Sequence, residues 1–290
     1  MDPVPHPSLC KNSSLPRLPI ELQDEIFRLA ARKNPEIAAT LAQVSKWVAE
    51  RVYPILYEIV FFENPVNEFH IFDPPPIAKR SFDIDDILKQ HGRHVRCLWL
   101  DPPQDRKYYD FNVGSVFKSC PSLKNLSLGY ACSVQVLRTI EEGLPNLERL
   151  WGMLKLCPDS LSALKPTHKR LTHLYLFEIY HWDTLPTFLL GLPSLTHLGV
   201  NDVAECDMVE EGLKGCKQLQ AVLLVADDED TEETCMATTS EVNSEDERIV
   251  FVTVSPFSNW LSGARGGFDM WELADRIILE RRKRREGNGT

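Results

Sequence analysis

Leu171-Thr172-His173-Leu174-Tyr175-Leu176 and Leu195-Thr196-His197-Leu198-Gly199-Val200 are one phrase written twice, 24 residues apart. The pattern L-x-x-L-x-L extends to both sides, so that Leu123, Leu147, Leu171, Leu195 and Leu219 lead five segments in equal steps of 24. A looser copy led by Val95 precedes them by 28 residues, and one led by Ile249 follows by 30. The second halves repeat too. Leu144-Pro145-Asn146-Leu147 answers Leu192-Pro193-Ser194-Leu195, and Cys120-Pro121-Ser122-Leu123 answers Cys216-Lys217-Gln218-Leu219. Val134 to Glu142, Leu185 to Leu190 and Val209 to Lys214 have helix-compatible apolar spacing. Gly143, Gly191 and Gly215 stand where a helix C-terminus favours a left-handed residue. Each unit is therefore expected to be a strand followed by a helix. Such a unit cannot bury its apolar face alone and stacks on its neighbours.

This pattern resembles the leucine-rich-repeat family over roughly residues 93–256, although the usual Asn after the strand is missing from most units. The resemblance implies an α/β solenoid with parallel strands on the concave face and helices on the convex face. Side chains alternate along a strand, so the residues flanking each central leucine form a column on the concave side. It runs Cys97 and Trp99, Asn125 and Ser127, Arg149 and Trp151, His173 and Tyr175, His197 and Gly199, Ala221 and Leu223. Aromatics and Arg are enriched at binding hot spots. Trp99, Arg149, Trp151, His173, Tyr175, Phe177 and His197 are accordingly the candidate client-binding residues. The competing reading is that a C-terminal segment or loop covers this face, or that the aromatics only pack along the ladder. His173 and His197 hold equivalent positions, but two His without well-placed further ligands make an exposed or hydrogen-bonded pair rather than a metal site.

Ahead of the repeats the composition changes. Leu18-Pro19-Ile20-Glu21-Leu22 opens an amphipathic run through Ala31, with Pro19 and Glu21 suited to a first helical turn and Ile20, Leu22, Ile26, Phe27 and Ala30 on one broad face. A second run starts near Pro35 and carries Ile37, Leu41 and Val44. A third, Ser45 to Leu56, begins at a capping-type Ser and carries Trp47, Val48, Val52 and Ile55. Three short helices make too small a core to be robust alone. The words Leu18-Pro19-x-Glu21-Leu22-x-x-Glu25-Ile26-Phe27 and Leu41-x-x-Val44-Ser45-Lys46-Trp47 resemble an F-box over roughly residues 16–56. Pro54-Ile55-Leu56-Tyr57 and the strand-like Glu58 to Phe62 resemble the fungal F-box-like proteins in particular. The resemblance implies docking on a Skp-family adaptor of a cullin-type SCF ubiquitin ligase. By position, Leu18, Pro19, Ile20, Leu22, Ile26, Leu41, Val44 and Trp47 would be the adaptor-facing or helix-locking set. The expected organisation is a disordered N-terminus (1–15), a helical module (16–56), and a linker or first capping unit (57–94). The repeat domain (95–256) and a C-terminal capping helix with a basic tail (257–290) follow.

Within the repeats, residues 227–248 interrupt the period with ten carboxylates and almost nothing apolar. They read as a solvated loop, or alternatively as a lure for a basic partner or a phosphorylation site. Phe268 to Glu280 is expected to form a helix capping the open end of the stack. The run Arg281-Arg282-Lys283-Arg284-Arg285 after it is either a nuclear-import signal or a favourable set of cations at a helix C-terminus. Gly263-Ala264-Arg265-Gly266-Gly267 lacks phosphate-loop spacing and reads as a turn.

Composition narrows the function classes. The net charge of −10 disfavours general nucleic-acid or anionic-membrane binding. The first residues hold no apolar signal segment and no stretch approaches a membrane span. The expected compartment is cytoplasmic or nuclear. The eight cysteines include no Cys-x-x-Cys pair and read as reduced, mostly buried thiols. No nucleophile elbow, zinc-protease or phosphate-loop motif is present, so neither an enzyme nor a cofactor is expected. The expectation is an SCF substrate receptor that binds a Skp adaptor with its front and a client protein with its repeats. The alternative is a leucine-rich-repeat interaction scaffold with no ligase role.

Overall fold

Steps of 24 residues become a ladder of strands. The computed structural model describes residues 18–63, 84–101, 113–132, 139–140, 142–154, 169–177, 185–201, 216–227 and 246–288. The chain divides into two compact units, residues 1–56 and 57–290.

The first unit holds three helices, α1 (Ile20–Lys33), α2 (Pro35–Leu41) and α3 (Lys46–Leu56). Glu21 lies in the first turn of α1, and Arg32 and Lys33 in its last, matching the helix dipole at both ends. Asn34 stops α1 in an extended conformation and starts α2, its Oδ1 accepting from the amides of Glu36 at 2.8 Å and Ile37 at 3.4 Å. Ser45 caps α3 as its residue type suggested, its Oγ accepting from Val48 N at 3.2 Å. The core is small: Ala31, Ala38, Val48 and Val52 are buried, with Phe27, Leu41, Trp47 and Ile55 packed around them. Phe27 meets Trp47 edge to face at 5.9 Å, and the Arg51 guanidinium lies over the indole at 3.8 Å while pairing with Asp24 at 3.0 Å.

The second unit is an eight-stranded, all-parallel sheet in sequential order: β1 (Ile59–Glu63), β2 (Cys97–Asp101), β3 (Asn125–Cys132), β4 (Arg149–Leu154), β5 (His173–Leu176), β6 (His197–Val200), β7 (Ala221–Asp227) and β8 (Ile249–Val254). Between strands lie α4 (Ile84–His91) with a short 3-10 turn (Gly92–His94), α5 (Val113–Ser119) and α6 (Leu185–Leu190), and after β8 come α7 (Pro256–Ala264) and α8 (Met270–Asn288). The period fixes the register, with Arg149 beside His173, His173 beside His197, and His197 beside Ala221. One carbonyl per unit receives two amides of the next. Arg96 O takes Lys124 N and Asn125 N, Lys124 O takes Glu148 N and Arg149 N, and the rule continues through Thr196 O. Among the described residues, no helix is long and apolar enough to cross a membrane.

Alternation divides the side chains between two faces. Leu98, Leu126, Leu150, Leu174, Leu198 and Val222 pack on one side with Leu88, Phe117, Ile140, Phe188 and Leu189 from the connecting segments. Trp99, Trp151, Tyr175, Leu223 and Val225 lie on the other. The strand-like Glu58 to Phe62 proves to be β1, an eighth strand beyond the seven repeat segments, with Val60 and Phe62 toward the leucine core and Ile59 and Phe61 toward the aromatic side.

Two expectations need correction. The phrase led by Ile249 aligns three residues away from the repeat register: Ile249 pairs with Val222, not Leu219, and Phe251 pairs with Leu224. An odd slip exchanges the faces, so Val252 and Val254, at positions that face the leucine core in the other units, join Val250 on the aromatic side, while Ile249 remains in the leucine core. Gly143 and Gly191 are not left-handed, since Gly266, with φ 73°, is the only described residue at positive φ. Gly143 instead marks a close approach, where an added Cβ would lie 3.1 Å from Phe117 Cβ. Gly215, the helical run Val209 to Lys214 and most of the run Val134 to Glu142 lie outside the described residues, as do residues 1–15 and 228–245.

Candidate functional site

Two surfaces were expected to bind. On the helical unit, the residues that resemble an adaptor-docking set split into two groups. Leu18, Pro19, Ile20, Leu22, Ile26 and Val44 are exposed. Ile20 is 54% accessible, Leu22 52% and Val44 64%, values far from those of core side chains. Leu41 and Trp47 turn inward and lock the helices together. Leu29 and Ile37, absent from the expected set, extend the exposed apolar surface. Helix α1 therefore has two apolar sides. Phe27 and Ala31 serve the internal core, and Ile20, Leu22, Ile26 and Leu29 point outward. Sequence periodicity alone merged these into one broad face, because both sides are apolar.

On the sheet, the candidate client-binding side chains do form one contiguous column. Trp151 contacts Tyr175 with ring centroids 4.7 Å apart, Tyr175 contacts Phe177 at 4.7 Å, and His173 stacks on His197 at 4.3 Å and 10°. The column is not open. Helices α7 and α8 lie on it, and Trp99, Trp151, Tyr175 and His197 are all buried. The expectation of an exposed column is thus corrected in favour of the competing reading, in which a C-terminal segment covers it. Helix α8 also differs from its expected role and range. It runs from Met270 through the basic residues to Asn288, and its Trp271, Ala274 and Ile278 pack on a sheet face.

The fit follows from a few positions. Trp271 seats over Gly199, where a Cβ would come within 2.6 Å of Tyr175 Cδ2 and 3.1 Å of Trp271 Cη2. Its ring stands edge-on to Trp151 at 6.1 Å and to His173 at 5.2 Å. Trp260 of α7 packs on Trp99 at 5.4 Å and Phe61 at 5.6 Å, and its Nε1 donates to the buried Asn125 Oδ1 at 2.8 Å. Between the helices, Gly266 allows the turn, Ser262 Oγ donates to Phe268 O at 2.7 Å, and Asn259 Oδ1 accepts from Met270 N at 3.1 Å. The five residues 263–267 that read as a turn are partly helix, since α7 extends to Ala264. Asp269 then acts twice. Its Oδ1 caps α8 by accepting from Trp271 N and Glu272 N at 3.1 Å, and its Oδ2 accepts from Arg149 Nη1 of β4 at 2.7 Å. A Cβ on Gly263 would collide with that carboxylate.

Charge and protonation at this face are structural in character. Burial, with His197 and Arg149 nearby, pushes the His173 imidazole down to about 2, so it stays neutral. Each His is paired with the Thr that precedes it. Nδ1 of His173 lies 2.8 Å from Thr172 Oγ1 and Nδ1 of His197 lies 2.8 Å from Thr196 Oγ1. Among the described residues no group of three or more His, Cys, Asp or Glu could hold a metal ion. Cys97, Cys120 and Cys216 are free and buried, and burial pushes the Cys97 and Cys120 thiols up to about 12.

The basic run is engaged as well. Arg281 Nη1 donates to Glu247 O at 3.1 Å and Ile249 O at 2.6 Å, while Arg282 and Arg285 both grip the Glu247 carboxylate, at 3.0 and 2.9 Å. Three of its five cations thus tie the end of α8 to the start of β8. The sequence signals for Asp269 and Gly199 were present but quiet. One is an Asp before an apolar helical run, and the other is a Gly in a column of rings. Comparison with protein-family models and with curated proteins finds no match.

Proposed function

We propose that the chain is a substrate receptor of a cullin-type SCF ubiquitin ligase, an F-box-like module followed by leucine-rich repeats, itself without catalytic activity. The observation that carries the reading is the exposure of Leu18, Ile20, Leu22, Ile26, Leu29, Ile37 and Val44 on a helical unit whose buried cluster is only Ala31, Ala38, Val48 and Val52, with Phe27, Leu41, Trp47 and Ile55 partly buried around it. Single exposed leucines need no explanation, but seven large apolar side chains exposed within residues 18–44 are the concentration expected of a binding surface. Its place on the residues that resemble the F-box words points to a Skp-family adaptor. The parallel ladder of 24-residue units supports the repeat half of the reading. The client is an unidentified protein, and it reaches Trp151 or Tyr175 only if α7 and α8 move aside.

The test is co-purification of the full chain with a Skp-family adaptor, comparing wild type with Leu22→Asp and Ile26→Asp. Both side chains are exposed, so the folded unit tolerates the change. The expected outcome is capture by wild type and loss of capture by both variants. Absence of capture by wild type, or capture unaffected by either substitution, favours the repeat scaffold with no ligase role.

A further inference from the structure

The inner face of α8 changes chemistry along its length. Trp271, Ala274 and Ile278 follow one another at helical spacing and pack on the sheet, and between them Asp275 meets His197 of β6 at 3.1 Å. One turn on, the same face presents Arg281, Arg282 and Arg285. The change falls where the helix, having crossed β7 and β8, runs out of strands beneath it.

Strand β8 ends the sheet, and among the described residues no strand pairs beyond it. Val222 N donates to Arg248 O at 2.9 Å, so the Arg248 carbonyl is turned toward β7. Backbone groups alternate in direction along a strand, so those of Ile249, Phe251 and Thr253 aim outward. A terminal strand with such a row is a template for another chain. At Ile249 the row is sealed. Its N–H donates to Asp246 O at 3.1 Å. Its carbonyl accepts from Arg281 Nη1 at 2.6 Å, the same nitrogen that donates to Glu247 O at 3.1 Å. A guanidinium thus stands where a ninth strand would offer its amide. Arg282 Nε and Arg285 Nη1 fix the helix end there by holding one oxygen each of the Glu247 carboxylate, at 3.0 and 2.9 Å.

We propose that Arg281 guards the open edge of β8 against pairing with a second copy of this chain. The strand such a copy would offer is β1, which ends the same sheet on its other side. Strand β1 sends Val60 and Phe62 to the leucine core and Ile59 and Phe61 to the aromatic layer. Strand β8 makes the same division, with Ile249 and Phe251 against Val250 and Val252. Pairing of β8 with the next copy's β1 would therefore continue both layers, head to tail. Arg281 blocks the rung at which that pairing begins. The guard belongs to the sheet unit and is independent of the ligase reading.

The test is sedimentation velocity of the full chain over a roughly hundredfold range of concentration. Arg281→Ala is expected to gain mass over wild type at equal concentration, reaching at least about twice the wild-type value at the upper end. Arg284→Ala removes the same charge from a side chain that is 80% exposed, and it should match wild type. Thr253→Pro deletes an N–H that faces away from β7 and sets a ring against any incoming strand. The double variant Arg281→Ala with Thr253→Pro should therefore return to the wild-type mass. An Arg281→Ala chain that matches wild type, or extra mass that survives Thr253→Pro, overturns the proposal. Association through unfolding would give the second of these results, so it is told apart from pairing at the edge.

Discussion

Gly199→Ala should destabilise the sheet unit in the wild-type chain and stabilise it when Trp271 is absent. Glycine in a strand normally costs backbone entropy, and replacing it where φ permits returns about 0.4–1 kcal/mol. Gly199 has no positive φ to protect it. Sterics oppose the gain. The new methyl would lie 2.6 Å from Tyr175 Cδ2 and 3.1 Å from Trp271 Cη2, and both rings are buried to within 1% of full enclosure. Neither ring has solvent to retreat into, and overpacking of that kind costs about 1–3 kcal/mol. The overpacking wins, for a net loss of about 1–2 kcal/mol. In a Trp271→Ala background, already weaker by about 3–5 kcal/mol, Tyr175 can shift into the vacated volume. The substitution should then gain the few tenths to about 1 kcal/mol expected of an unhindered site. Urea unfolding of the four proteins, followed by near-ultraviolet circular dichroism, gives the midpoints and slopes for the double-mutant cycle. An equal effect of Gly199→Ala in both backgrounds, or a gain in the wild-type chain, would refute the seating of Trp271 over Gly199.

The thiols of Cys97 and Cys120, pushed up to about 12 by burial, should ignore an aromatic disulfide reagent near neutral pH in the native protein and react on addition of denaturant; prompt native labelling of either would contradict their placement. Asp246 should make part of the sheet unit's stability acid-sensitive. Its carboxyl is lowered chiefly by the Arg248 side-chain hydrogen bonds, so the folded value lies below the unfolded one. The contribution is then complete above the ordinary Asp range, about 3.9, and is lost as pH falls through the depressed folded value. Arg248→Ala should flatten thermal stability against pH in that acidic window, and an unchanged profile would exclude the pair as its source.

How far the sequence carried the fold can be seen residue by residue. Four equal steps from Leu123 to Leu219 yield strands whose first four paired positions keep the register of the period, with a shift between Leu128 and Ala131 further along β3. The fixed spacing ends before Ile249, where the interrupting insertion intervenes and β8 pairs three residues out of the repeat register. The alternation placed the aromatic residues on one face without showing that the face is covered. A row of rings looks the same in a sequence whether its partner is another protein or a helix 120 residues further along the same chain, as with Arg149 and Asp269. On the helical unit the reverse occurred. Most of the apolar residues were named, Leu29 excepted, but their division between core and surface depends on how three short helices cross, which no single-helix period encodes.

The C-terminal segment stitches the sheet at widely spaced points. Trp260 reaches Asn125 on β3 across 135 residues, Asp269 holds Arg149 on β4, Asp275 meets His197 on β6 across 78, and Arg281 closes on Ile249 at β8 across 32. Stacked repeats ordinarily touch only their neighbours, so they can fray from an end and gain or lose a copy with little penalty. A strap cut to a fixed span removes that freedom. Adding or deleting one 24-residue unit between β3 and β6 would carry at least one anchor out of reach while leaving every local repeat intact. The count of repeats is thereby fixed as firmly as any side chain.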